Sequence, residues 1–123
     1  MVIDDEVHIT EIIYEVLTRH GATVHIAASG SEAYERLRSR NYDFIICDQR
    51  MPGLSGQSLY RLVENSTPGA GKRFLFVTGD VVSAQTRQFF SQAGVQFLRK
   101  PFRIQDLLEA IDSLFSRNQP QGF

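Results

Sequence analysis

Five short runs rich in β-branched and aromatic residues, at positions 2–3, 23–27, 44–47, 74–78 and 95–98, alternate along this chain with longer segments of helical periodicity. No other feature narrows the fold so far. A strand, a helix and a second strand make a parallel crossover unit, and nearly continuous apolar runs such as Phe44-Ile45-Ile46-Cys47 belong to strands covered on both faces. The expected fold is α/β, with a doubly wound, five-stranded parallel sheet.

The helical segments carry their own signals. Ile9, Ile12, Ile13, Val16 and Leu17 share one face of a first helix, which Gly21 stops. Ser29-Gly30-Ser31-Glu32 is a capping box opening a second helix, with Ala33 and Leu37 inward. A third follows Ser55-Gly56 and is expected to bury Leu59, Leu62 and Val63. A fourth is expected from 81 to 93, where Phe89 and Phe90 occupy adjacent faces, so that one is expected to be exposed. The last has Ile104, Leu107, Leu108, Ile111, Leu114 and Phe115 on one stripe. Residues 65–72 read as a loop, and residues 117–123 as a polar tail or linker after a single domain at 1–116.

Composition excludes several functions. Thirteen basic against fourteen acidic side chains leave a formal charge of −1, so no overall field attracts nucleic acid or an anionic membrane. One cysteine, Cys47, cannot form an internal disulfide, and its apolar surroundings make it core filler. His8, His20 and His25 share no metal-ligand spacing. No apolar run approaches the ~18 residues of a membrane span, and the start lacks the order of a signal peptide, so the expected setting is cytoplasmic. The first apolar run is short for a strand, which points to a piece of a longer protein.

In doubly wound sheets ligands bind beyond the carboxyl ends of the strands. Those ends carry Asp4-Asp5-Glu6, Asp48, Thr78-Gly79-Asp80 and Arg99-Lys100-Pro101. Each alone reads as an ordinary helix cap or turn. Together, carboxylates at one rim favour a hard dication such as Mg²⁺, while a lysine and a hydroxyl supply what a phosphoryl group needs.

In this order and spacing, Val2-Ile3-Asp4-Asp5-Glu6, Ala28-Ser29-Gly30-Ser31-Glu32-Ala33, Tyr42 to Asp48 with Met51-Pro52-Gly53 and Gly56, Thr78-Gly79 and Lys100-Pro101-Phe102 resemble the response-regulator receiver domain of two-component signalling. The resemblance implies a flavodoxin-like (βα)5 fold with strand order 2-1-3-4-5. It implies that Asp48 is the phosphoacceptor and that Asp5 binds Mg²⁺ directly. Asp4 would act through water, and the backbone carbonyl of Arg50 would complete the metal site. Thr78 and Lys100 would hold the phosphoryl group, and Thr78 with Phe97 would form the switch. The family more often has tyrosine where Phe97 stands.

The implied donor is a histidine kinase or a histidine phosphotransfer domain, and the chain is a signalling module, not a free-standing enzyme. Its parent could be a hybrid sensor kinase, a multidomain regulator or a single-domain shuttle. Arg50 and Asp80, each two residues past a site residue, are expected to overhang the phosphoryl site and tune its lifetime. Three other readings compete. A pseudo-receiver would bind partners without phosphorylation. A hydrolase of the haloacid-dehalogenase type needs a second acid where Arg50 stands, and a flavodoxin-like cofactor binder needs a glycine-rich loop after the first strand.

Overall fold

The computed structural model describes residues 1–79 and 83–117, with the side chain of Arg117 excepted. Five strands, β1 (Val2–Ile3), β2 (Ile26–Ala27), β3 (Ile45–Cys47), β4 (Phe74–Thr78) and β5 (Gln96–Arg99), pair in parallel in the order β2-β1-β3-β4-β5. Five helices connect or follow them: α1 (Val7–Arg19), α2 (Gly30–Ser39), α3 (Gly56–Ser66), α4 (Ala84–Ala93) and α5 (Ile104–Arg117). This is the doubly wound α/β arrangement the alternation predicts.

Side chains alternate across the sheet and build two cores. Ile3, Ile45, Cys47, Phe74 and Phe76 face α2, α3 and α4, meeting Ala33, Leu59, Val63, Phe89 and Phe90. Val2, Ile46, Leu75 and Val77 face α1 and α5, meeting Ile13, Val16, Leu107 and Leu114. Each fully buried side chain of this size contributes about 1.5–3 kcal/mol.

Helix starts follow their sequence signals. The Ser29 hydroxyl accepts from Glu32 N–H at 3.2 Å, and the Glu32 carboxylate accepts from Ala28 N–H at 3.2 Å. Ser55 and Ser83 cap α3 and α4, accepting from the N–H groups of Ser58 and Thr86. Gly94 closes α4 at φ 66°, a left-handed conformation that glycine adopts without steric penalty.

Several expectations are corrected. The ladder of β2 is confined to Ile26–Ala27 because a strand needs a neighbour, and β1 offers two residues. β5 is shifted by one residue, to Gln96–Arg99. Ile12, Leu62, Ile104 and Phe115 are exposed, since their stripes are wider than the strip of sheet beneath. Phe115 still meets the edge of Phe44, with ring centroids 6.0 Å apart.

Phe89 and Phe90 are both buried. Phe89 packs on Tyr60 and Phe76, while Phe90 packs on Phe76 and stacks on Phe97. The loop expected at 65–72 is partly ordered as a 3-10 turn at Ala70–Arg73, because the Glu64 carboxylate accepts from Gly69 and Gly71 N–H at 2.9 and 2.7 Å. The start expected for α4 at 81, the residue Asp80, and tail residues 118–123 lie outside the described residues.

Candidate functional site

Backbone ladder bonds carry three polar residues to one rim of the sheet. Just past β1, Asp4 N–H donates to Ala27 O at 3.3 Å; past β3, Asp48 N–H donates to Ile3 O at 3.0 Å; past β5, Lys100 N–H donates to Thr78 O at 3.0 Å. The Lys100–Pro101 peptide bond is cis. The Lys100 ammonium lies 2.8 Å from Asp4 Oδ2, 3.2 Å from Asp48 Oδ2 and 3.2 Å from Glu6 Oε1. Residues 96 positions apart thus meet through one cation. Thr78, fully buried, ends the neighbouring strand.

Both aspartates are nearly inaccessible, at 4% exposure for Asp4 and 5% for Asp48. Each is also tied locally: Asp4 Oδ1 accepts from Glu6 N–H at 2.9 Å, and Asp48 Oδ1 accepts from Arg50 N–H at 3.4 Å. Burial raises the Asp4 carboxyl above its ordinary pKa; the hydrogen bonds from Lys100 and Glu6 N–H oppose this, and the Asp48 charge adds to it. For Lys100, burial alone would favour the neutral amine. The hydrogen bond to Asp4 and the charges of Asp48 and Asp4 outweigh it, and its pKa is held well above the ordinary value. Cys47 beside them stays a thiol, pushed up by burial and then by Asp48 and Asp4.

The donor set suits a hard dication. Carboxylate oxygens of Asp4, Glu6 and Asp48 lie within 4.8 Å of one another, and three carboxylates against one ammonium leave two negative charges uncompensated. Asp5 is exposed and outside that group, whereas Glu6, part of the acidic run but given no role by the sequence reasoning, is within it. Arg50 is exposed at the rim. Phe97 is 48% exposed, its ring stacked on Phe90 with centroids 4.8 Å apart.

Gln49 was missed. It is buried, its side-chain oxygen accepts from Gln57 N–H at 2.7 Å, and its carbonyl accepts from Gly56 N–H at 3.0 Å. These bonds fix the turn behind Asp48 to α3. An amide next to an acid carries no distinctive sequence signal, so nothing but the fold reveals it. Gly56 is legible in part: a Cβ there would lie 2.5 Å from Asp48 O and 2.9 Å from the Phe76 ring, so glycine lets α3 approach the acceptor strand.

A parallel sheet in the order 2-1-3-4-5, with acids and a lysine gathered beyond its carboxyl ends, defines the class of flavodoxin-like α/β proteins with an acidic rim site. Within it, the chain belongs to the response regulator receiver domain family, whose model matches residues 1–112. It is 34% identical over 119 residues to the chemotaxis protein CheY of Pseudomonas aeruginosa, covering 95% of each chain. It is 27% identical over 118 residues to the transcriptional regulatory protein CrdR of Helicobacter pylori, covering 93% of this chain and 53% of that one. Other curated relatives are longer still, and the chain spans a quarter of their length.

Among solved structures, a response regulator receiver domain protein from Clostridium thermocellum superposes with a TM-score of 0.81 at 30% identity, covering 94% of this chain and 92% of that one. Receiver domains are phosphoacceptors, not enzymes in the ordinary sense; they bind Mg²⁺ at an acidic pocket and interact with histidine kinases or phosphotransfer proteins. Among the described residues, no helix is long and apolar enough to cross a membrane.

Proposed function

We propose that Asp48 accepts a phosphoryl group from a phosphohistidine of a histidine kinase or histidine phosphotransfer domain. The observation that carries this reading is the Lys100 ammonium shared between the buried carboxylates of Asp4 and Asp48 at the sheet's rim. An ionised Asp48 needs no general base: its oxygen forms the new O–P bond as the P–N bond breaks, and imidazole leaves. Lys100 is within reach of the acceptor oxygen and neutralises the transferring oxygens, while the Thr78 hydroxyl donates to one of them. Asp48 and the Arg50 carbonyl would hold Mg²⁺, with Asp4 acting through water and Asp5 joining them by turning in from its exposed position outside the group of Asp4, Glu6 and Asp48. When bound, the ion supplies further charge neutralisation.

The product dianion draws Thr78 inward, and Phe97 turns from its half-exposed stack on Phe90 toward the space released. The face formed by α4, β5 and α5 carries the signal outward. Phe97 has no phenol to lock that inward state. Arg50, with Asp80, limits entry of hydrolytic water.

The test is intact-mass analysis after incubation with acetyl phosphate and Mg²⁺. Wild type gains one phosphoryl group and Asp48→Asn gains none. Undiminished labelling of the variant overturns the assignment, and an unlabelled wild type favours a pseudo-receiver that acts by binding alone.

A further inference from the structure

Beyond the turn that follows Asp48, a cavity of about 460 Å³ opens between the start of α3 and the start of α4. Gln49, Arg50, Met51 and Ser55 line one side, and Ser83 and Gln85 the other. The two helix starts differ in what they leave unbound. In α3 the leading N–H groups are all satisfied: Gly56 and Gln57 donate to Gln49 O and Oε1 at 3.0 and 2.7 Å, while Ser58 and Leu59 donate to Ser55 Oγ and O at 3.2 and 2.9 Å. In α4, Thr86 and Arg87 N–H donate to Ser83 Oγ and O at 3.4 and 3.0 Å, and the N–H groups of Ala84 and Gln85 have no partner among the described residues.

The opposite wall adds a donor of its own. Gln49 is 7% exposed, and the surface it keeps is on the cavity. Its side-chain oxygen is committed to Gln57, so Nε2 is left to donate, and it has no hydrogen-bond partner among the described residues. An amide donor buried this far and left unpaired is costly, and an acceptor brought into the cavity recovers the missing bond.

We propose that this cavity is a binding site for a carboxylate, with one oxygen on Gln49 Nε2 and the other on the free N–H groups that begin α4. Charge selects a monoanion. A helix start carries about half a positive charge, and Arg50 is the charged residue among those lining the cavity. The neighbouring acids Asp4, Glu6 and Asp48, held by one ammonium, keep two negative charges uncompensated, which opposes a dianion such as phosphate. A planar carboxylate also presents two oxygens to two separated donors, and buried Met51 offers its carbon an apolar contact. The inference goes beyond phosphotransfer and applies to the unphosphorylated chain.

Heteronuclear NMR titration of the isotope-labelled chain with sodium acetate, against sodium chloride at matched ionic strength, tests the proposal. Acetate should shift the Gln49 side-chain amide and the Ala84 and Gln85 backbone amides saturably, and acetamide or inorganic phosphate should bind about fivefold more weakly or less. Gln49→Glu keeps an oxygen for Gln57 N–H and removes the donor. Ala84→Pro removes one N–H at the first helical position, where proline is tolerated because Ser83 before it is extended, at φ −62° and ψ 127°. Each substitution should weaken acetate about threefold or more while the sheet resonances stay in place. Acetyl-aspartate methylamide separates the sources: saturation by it as well assigns the carboxylate to an acidic residue of a partner protein, and saturation by acetate alone assigns a free acid. No saturable shift, an equal response to acetamide or phosphate, or undiminished affinity in either variant overturns the proposal. Asp48 stays unphosphorylated throughout, so a failure of its labelling leaves this result interpretable.

Discussion

Replacing Lys100 with alanine leaves Asp4 and Asp48 facing each other without their shared cation. The ammonium is 2.8 and 3.2 Å from them, and its side chain is 13% exposed. At an effective dielectric of ~20, a unit charge at 3 Å is attracted by about 5 kcal/mol per partner, and the desolvation of Lys100 offsets much of that. Breaking such a pair from one side generally costs about 3–5 kcal/mol. Proton uptake by Asp4, whose carboxyl is already raised, relieves part of the repulsion. The expected loss is therefore about 3 kcal/mol at pH 7 without divalent metal, read from urea unfolding monitored by circular dichroism.

Mg²⁺ should narrow the gap between variant and wild type. The variant offers the ion the same acids without a competing ammonium, and saturation of one site at a hundredfold excess over its dissociation constant stabilises by about 2.7 kcal/mol. A loss below about 1 kcal/mol without metal, or a gap that Mg²⁺ leaves unchanged, would refute the electrostatic account of the cluster.

Gly56→Ala should cost about 1–3 kcal/mol in denaturant melts, because the new methyl meets backbone at Asp48, which cannot step aside as a flexible side chain would. Asp4→Asn should gain stability relative to wild type as pH rises. A carboxyl raised above its unfolded value helps folding below the ordinary carboxylate pKa, and that help is lost as pH climbs through the folded pKa. Melts at pH 3.5 and pH 7 should therefore show the variant's advantage at pH 7 alone. Arg50→Ala should dephosphorylate several-fold faster than wild type, followed by intact mass after removal of phosphodonor; equal rates would discard a shielding role for this exposed arginine.

Local sequence determined much of this protein. The two-residue period of β4 sends Phe74 and Phe76 to one core and Leu75 and Val77 to the other, so strand identity and the need for two helical layers were legible from residue order. The capping box at Ser29 and Glu32 and the glycine stop at Gly21, which takes a φ of 89°, were likewise local matters, settled within one turn of helix.

Tertiary structure decided what depended on distant partners. Whether residues 23–25 belong to β2 rests on how far β1 extends beside them. Whether Phe90 is exposed rests on β5 bringing Phe97 beneath it. Glu6 and Asp5 look equivalent as adjacent acids, yet the turn into α1 aims the Glu6 carboxylate at Lys100, 94 residues away, and leaves Asp5 outside the cluster. Periodicity along a chain records which face a side chain takes. Which partner it meets there is a property of the packed sheet, because the meeting residues are neighbours in space and not in sequence.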